Sequence, residues 1–95
     1  MVDRLTDDAI ASSLETHAEW ARNGDSIQRT YGFGDFMGSI QFVDRVAVRA
    51  EEAQHHPDIL IRFNKVTITL STHDAGGISE RDFRFAGDCD RIYVD

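Results

Sequence analysis

Two short runs of alternating apolar residues constrain the fold of this chain more than any other feature. Each run places every second side chain on one face, as a half-buried β-strand does, and the shared apolar positions are Ile59, Ile61, Phe63, Val66, Ile68 and Leu70. Asn64 and Lys65 separate the runs, and asparagine suits the first central position of a two-residue turn. The pattern predicts a β-hairpin over residues 58–72, with Phe63 opposite Val66, Ile61 opposite Ile68 and Ile59 opposite Leu70.

Three further segments have the apolar spacing of helices. The first has Thr6 as its N-cap and extends to about Ala18, and the second runs from about Asp35 to Ala53. The third begins after Ser79, because an N-cap serine followed three residues later by an acidic side chain is a variant of the capping box.

A turn signal, Asn23-Gly24-Asp25, lies between the first two helices. It predicts two antiparallel strands over residues 19–22 and 26–33. The resulting order is α-β-β-α-β-β-α, and 95 residues are one domain by length. We therefore expect a single α+β domain over residues 1–95, in which a four-stranded antiparallel sheet carries three helices packed on one face.

Histidines lie at the open end of the predicted hairpin. Extending its pairing sets Pro57 opposite Thr72 and His56 opposite His73, on the face opposite the apolar set, with His55 adjacent. Imidazole titrates near neutral pH, so neighbouring histidines can act as acid and base in one site. From the residues alone two other interpretations stay open: exposed histidines that only cap a hairpin, and a metal site.

Charge and composition exclude some classes of function. The net charge is −7, and the sequence has no basic stripe that would bind nucleic acid directly. No stretch approaches the roughly 20 apolar residues of a membrane span, and the start of the chain lacks the apolar run of a signal peptide. The lone cysteine, Cys89, cannot form an intrachain disulfide and is expected in the core. These features predict a cytoplasmic protein.

The segment Glu51-Glu52-Ala53-Gln54-His55-His56-Pro57, followed by Phe63, His73 and Asp82, resembles the signature of the pterin-4a-carbinolamine dehydratase family. The segment STHDAGGISERD, which ends at Asp82, and the upstream GDSIQRTYGFGDF are similar to that family as well. The resemblance implies the same α+β fold. It also implies a cofactor-free enzyme. This enzyme would dehydrate a 4a-hydroxytetrahydropterin to quinonoid dihydropterin and water.

The resemblance also implies site residues and partners. The catalytic residues would be His55, His56 and His73. The residues that line the pterin pocket or complete the motif would be Trp20, as an aromatic wall, and Glu51, Gln54, Pro57, Ser71, Thr72, Asp74 and Asp82. Asp82 is expected to cap the third helix and could also orient a histidine. A homodimer or homotetramer is implied, and a non-catalytic dimerisation, coactivator or assembly module on the same scaffold is the alternative function.

Overall fold

The computed structural model describes residues 2–94, which form three α-helices and four strands in the order α-β-β-α-β-β-α. The elements are α1 (Asp7–Glu15), β1 (Ala21–Asn23), β2 (Ser26–Gly32), α2 (Phe36–Ala53), β3 (Asp58–Arg62), β4 (Lys65–Leu70) and α3 (Glu80–Val94). A short 3-10 helix, His73–Ala75, precedes α3.

The four strands form one antiparallel sheet in the order β1-β2-β4-β3. The three helices pack on one of its faces and bury the inward side chains of the two central strands, which are Ile27, Tyr31, Val66, Ile68 and Leu70. The predicted α+β architecture is therefore confirmed. Within residues 2–94, no helix is both long enough and apolar enough to cross a membrane.

The predicted hairpin forms, but its predicted register is wrong by two residues. Ile59 pairs with Ile68 and Ile61 with Val66, so the turn consists of Phe63 and Asn64. Phe63 takes the left-handed conformation, with a φ of 51°, and its side chain is 69% exposed instead of joining the apolar face. Because side chains alternate between the faces of a strand, a shift of two residues leaves all the remaining side chains of the hairpin on their predicted faces.

Contacts with distant residues fix this turn. The Asn64 side chain donates a hydrogen bond to the Phe33 carbonyl, at 3.0 Å, and the Ser39 hydroxyl donates to the Phe63 carbonyl, at 2.8 Å. At the other end of the hairpin, β3 begins at Asp58 and β4 ends at Leu70, so no strand pairing joins His56 to His73. The predicted pairing of these two histidines across the ladder is therefore wrong.

The first helix is shorter than predicted. It begins after the N-cap Thr6, whose hydroxyl accepts from the Ala9 amide, but it ends at Glu15 and not near Ala18. The amides of Thr16 and His17 bond carbonyls only three residues back, which tightens the chain into a turn. Because of this turn, β1 begins later in the chain than predicted, at Ala21–Asn23 and not at residues 19–22.

The second helix follows its predicted bounds. Asp35 caps it by accepting from the Gly38 amide at 2.8 Å, and the helix ends at Ala53. Gln54 then adopts a left-handed conformation, with a φ of 52°, which turns the chain sharply out of the helix. His55 and His56 follow this turn directly and lead into β3.

Cys89 lies on the inner face of α3 and is fully buried. Burial, together with the neighbouring carboxylates of Asp90 and Asp88, raises the pKa of its thiol to about 12. Since the thiolate is the reactive form, we expect the folded protein at pH 8 to react with iodoacetamide at least about a thousandfold more slowly than the protein in guanidinium chloride. Equal alkylation rates, measured by mass spectrometry, would show that Cys89 is not buried.

Candidate active site

His55 forms a buried ion pair or charge-assisted hydrogen bond with a carboxylate of α3. It follows the C-cap of α2 directly, and its side chain is only 9% exposed. Its Nε2 lies 2.6 Å from Oδ1 of Asp82, whose side chain is fully buried. Two segments 27 residues apart are thus joined by one short contact between an imidazole and a carboxylate.

The two carboxylate oxygens of Asp82 contact different groups. While Oδ1 holds His55, Oδ2 accepts from the Ser79 amide and from the Thr72 hydroxyl, both at 2.9 Å. The Ser79 hydroxyl accepts in turn from the Arg81 amide at 3.2 Å and lies 2.6 Å from the Thr72 hydroxyl. The first turn of α3 is therefore capped reciprocally, and the same hydrogen bonds fix the carboxylate against the imidazole.

This arrangement determines which ring nitrogen of His55 is available. A carboxylate that accepts from Nε2–H leaves Nδ1 of the neutral ring as a hydrogen-bond acceptor. None of residues 2–94 forms a hydrogen bond with Nδ1 of His55. Because every buried side-chain nitrogen and oxygen in this range has a partner, Nδ1 is not fully buried. It can therefore accept a proton from a ligand.

His56 forms a second pair, with Glu51 in the last turn of α2. Its Nε2 lies 2.6 Å from Oε2 of Glu51, and both side chains are largely exposed, at 60% and 75%. The first pair is thus enclosed by the protein, whereas the second faces solvent. Solvent weakens and screens such a contact, so Glu51 orients its histidine less firmly than Asp82 does.

One cleft of about 180 Å³ brings the three signature histidines together. It lies where the chain leaves α2 and where the 3-10 helix leaves β4, and an isolated bridge between Thr72 and Gly77 closes the loop on its far side. The residues that line the cleft are Gln54, His55, His56, Ser71, Thr72, His73, Asp74 and Arg81. The predicted neighbourhood of the histidines therefore exists, although a loop and not the strand ladder creates it.

Four of the residues expected at the site do not line this cleft. Glu51 and Asp82 contact it only through the histidines with which they pair. Pro57 follows His56 directly and is half-buried beside it. Trp20 lies in the core, only 4% exposed, and its indole nitrogen donates to both carboxylate oxygens of Asp90, at 3.1 and 3.2 Å. The structure therefore does not place Trp20 at this cleft as an aromatic wall, because the hydrogen bonds to α3 hold the ring among core residues.

Arg81 was not expected at the site, yet it lines the cleft. Its guanidinium donates to the Gln54 carbonyl at 2.8 Å and so joins the end of α2 to the start of α3. The signal was present in the sequence, because Arg81 stands inside the segment STHDAGGISERD, immediately before Asp82.

A larger groove, of about 700 Å³, lies at the opposite end of the hairpin. It is lined by Thr30, Arg62, Phe63, Asn64, Lys65 and Thr67, a set without a histidine or carboxylate. Since acid–base chemistry needs groups that exchange protons near neutral pH, the smaller histidine cleft is the better candidate for the active site. Within residues 2–94, no three His, Cys, Asp or Glu side chains are arranged to hold a metal ion.

The chain is similar to proteins of a known family. The family model for pterin 4 alpha carbinolamine dehydratase matches residues 3–92. A protein from Thermomicrobium roseum, provisionally named pterin-4-alpha-carbinolamine dehydratase, is 54% identical over 83 residues, which are 87% of this chain and 89% of the relative. A relative from Picosynechococcus with the same provisional name is 46% identical and covers 97% of this chain and all of its own length.

Solved structures with this fold have more than one described role. The transcriptional coactivator/pterin dehydratase from Brucella melitensis superimposes with a TM-score of 0.91 at 30% identity, over 96% of this chain and 99% of its own. A pterin dehydratase-like protein described as a RuBisCO assembly factor of the alpha-carboxysome has a TM-score of 0.69 at 28% identity, over 81% of this chain and 92% of its own.

Proposed function

The chain belongs to the pterin-4a-carbinolamine dehydratase family, and we propose that it catalyses the dehydration of a 4a-hydroxytetrahydropterin, of the tetrahydrobiopterin type, through its histidine cleft. The observation that carries this proposal is the meeting of three imidazoles around one cleft, two of them held by carboxylates at 2.6 Å. Family membership supplies the reaction, and the geometry supplies groups that can move its protons.

The reaction removes one proton and delivers another, without oxidation or reduction. The N5–H bond breaks and its electron pair forms the C4a–N5 double bond. The C4a–O bond breaks, and its electron pair leaves with the oxygen, which takes up a proton and departs as water. A base near N5 and an acid near the 4a-hydroxyl are therefore sufficient.

His55 is suited to the part of the base. Its Nδ1 is left as the accessible acceptor, and the imidazolium formed by taking the N5 proton would face the buried carboxylate of Asp82. In a Ser-His-Asp triad, the aspartate that orients the histidine stabilises the imidazolium in the same way. His56 and His73 lie on the exposed side of the same cleft, where they can exchange protons with water and supply the acid.

The remaining cleft residues would bind the pterin ring partly through backbone groups and partly through side chains. The Ser71 hydroxyl already donates to the Asp25 carbonyl at 2.8 Å, and the Thr72 hydroxyl is held by Asp82. The Gln54 amide nitrogen donates to the Glu51 carbonyl, which leaves its side-chain oxygen to accept from a ligand. Asp74 lines the cleft and is exposed, so its carboxylate can accept from ring N–H groups.

A coupled assay tests the proposal. Phenylalanine hydroxylase generates the 4a-hydroxytetrahydropterin, and its decay is followed by absorbance with and without the protein, which is purified without a histidine tag and kept in EDTA. We expect decay to accelerate in proportion to protein concentration. Decay at the uncatalysed rate would reject the dehydratase, and activity that needs added metal would reject the metal-free chemistry.

The alternative is a non-catalytic dimerisation, coactivator or assembly module. The described roles of the two solved structures motivate it, whereas the retained histidines and their carboxylates favour catalysis. If this protein bound one partner protein stoichiometrically and showed no dehydratase turnover, the result would favour the non-catalytic module. The homodimer or homotetramer and the cytoplasmic location remain predictions from the sequence.

Substitution of Glu51 tests how much the exposed Glu51–His56 pair contributes to catalysis. We expect Glu51→Gln to lower kcat by less than about tenfold, because a solvent-exposed contact contributes little to orienting His56. Glu52→Gln is the matched control, since Glu52 lies on the same helix and pairs with Arg49 at 3.5 Å, outside the cleft. If kcat fell as far in Glu51→Gln as in a variant lacking His55, the division between an enclosed and an exposed pair would be wrong.

A further inference from the structure

Two arginines of α3 border the histidine cleft and the grooves beside it. Arg81 lines the cleft itself. Arg81 and Arg84 together line a small cavity of about 40 Å³ on another side of His55, and both line an open groove of about 550 Å³ near the start of the chain. Arg81 thus borders both the histidine cleft and the open groove that Arg84 lines.

These arginines differ from most others in the chain because they lack a carboxylate partner among residues 2–94. Five arginines form ion pairs with aspartate or glutamate side chains: Arg4, Arg22, Arg29, Arg49 and Arg91. Arg81 donates only to a backbone carbonyl, and Arg84 has no polar contact with the described residues. Asp88, one helical turn beyond Arg84, is already bound by Arg49 and Arg91.

The position of the two arginines on the helix is unfavourable for stability. They are three residues apart, so their side chains lie on the same face and repel each other. They also lie near the N-terminus of α3, where the helix dipole disfavours positive charge. Asp3 and Glu80 line the same open groove but form no ion pair with either arginine, so the two guanidinium groups keep N–H donors free for an anionic ligand.

We propose that Arg81 and Arg84 form a subsite for an oxyanion, a phosphate or a carboxylate, on the side chain of the pterin whose ring lies in the histidine cleft. This inference rests on the proposed dehydratase function and extends its substrate class from neutral pterins of the tetrahydrobiopterin type to pterins with an anionic side chain. Guanidinium groups bind both oxyanions through paired N–H donors, which makes arginine suited to this task.

Calorimetry with a matched pair of ligands tests the subsite. The ligands are 7,8-dihydroneopterin and its 3′-phosphate, which differ only in the phosphate, and 7,8-dihydrofolate provides a carboxylate. We expect the wild type to bind an anionic ligand at least about fivefold more tightly than neutral dihydroneopterin, and Arg84→Gln to remove most of that preference. The preference should also weaken as NaCl increases.

Arg62→Gln is the matched control, because Arg62 is an exposed arginine at the other end of the hairpin and lines a different groove. It should leave the preference at the wild-type value. Equal affinity for neutral and anionic ligands, or a preference that survives in Arg84→Gln, would overturn the subsite and leave the dehydratase intact. Absence of both pterin binding and turnover would instead reject the proposed function, and the subsite with it.

Discussion

Replacement of His55 by alanine is expected to lower kcat for dehydration by about 10²–10⁴-fold, the usual contribution of a positioned acid or base. The reason is that His55 is the one imidazole of the cleft that a buried carboxylate holds, with Nδ1 left as an acceptor. The measurement is the steady-state rate with 4a-hydroxytetrahydropterin. A His56→Ala variant should also lose activity within this range, because His56 lies on the acid side of the same cleft.

The control for this experiment is His17, which is partly buried and outside the cleft. Its Nδ1 lies 2.9 Å from the Ser13 carbonyl, and its ring packs on Phe83 with 5.3 Å between centroids. His17→Ala should retain the wild-type kcat. Since removal of His55 leaves Asp82 without its partner, thermal unfolding must accompany the kinetics. Full activity in both His55→Ala and His56→Ala would contradict the assignment of the cleft.

The substitution Asp82→Asn is expected to reduce kcat about as far as His55→Ala does. An asparagine amide can donate to Nε2 of His55 and so favour the tautomer with the proton on Nδ1, which can no longer accept one. In serine proteases the same loss of an orienting aspartate costs about 10⁴-fold in kcat. Because both residues act as one unit, the double variant should be no slower than His55→Ala alone.

Asp82 also caps α3, so its variant should lose about 1–3 kcal/mol of stability as well. Asp35→Ala separates the two effects. It removes the capping bond to the Gly38 amide, at a cost of about 1 kcal/mol, with no connection to the cleft. Asp35→Ala should keep its kcat. If Asp82→Asn were destabilised but equally active, Asp82 would be a helix cap and not a positioning residue.

Local sequence patterns predicted the architecture because each element carries its own signal. The N-caps Thr6 and Asp35 and the alternation of the hairpin were sufficient to give the element order. The turn of the hairpin was misplaced because the Phe33 carbonyl and the Ser39 hydroxyl select it. Both groups lie more than 20 residues away, and no local pattern encodes such contacts.

The site was predictable to a similar extent. The signature located the three histidines and Asp82, and the capping pattern at Ser79 anticipated one of the two tasks of that aspartate. The signature could not show that Trp20 is tethered to Asp90, which lies 70 residues away in α3. Nor could it distinguish the enclosed His55 from the exposed His56, since their burial depends on tertiary contacts such as that between His55 and Asp82.

The most direct measurement of the central claim is the pH dependence of dehydration in single turnover, followed by stopped-flow absorbance. Catalysis by one imidazole that must be neutral and another that must be protonated predicts a bell-shaped profile of the rate constant. Loss of His55 should abolish the limb that reports the base. A rate constant that is independent of pH across the range in which imidazole titrates, or equal to the uncatalysed one, would contradict the account.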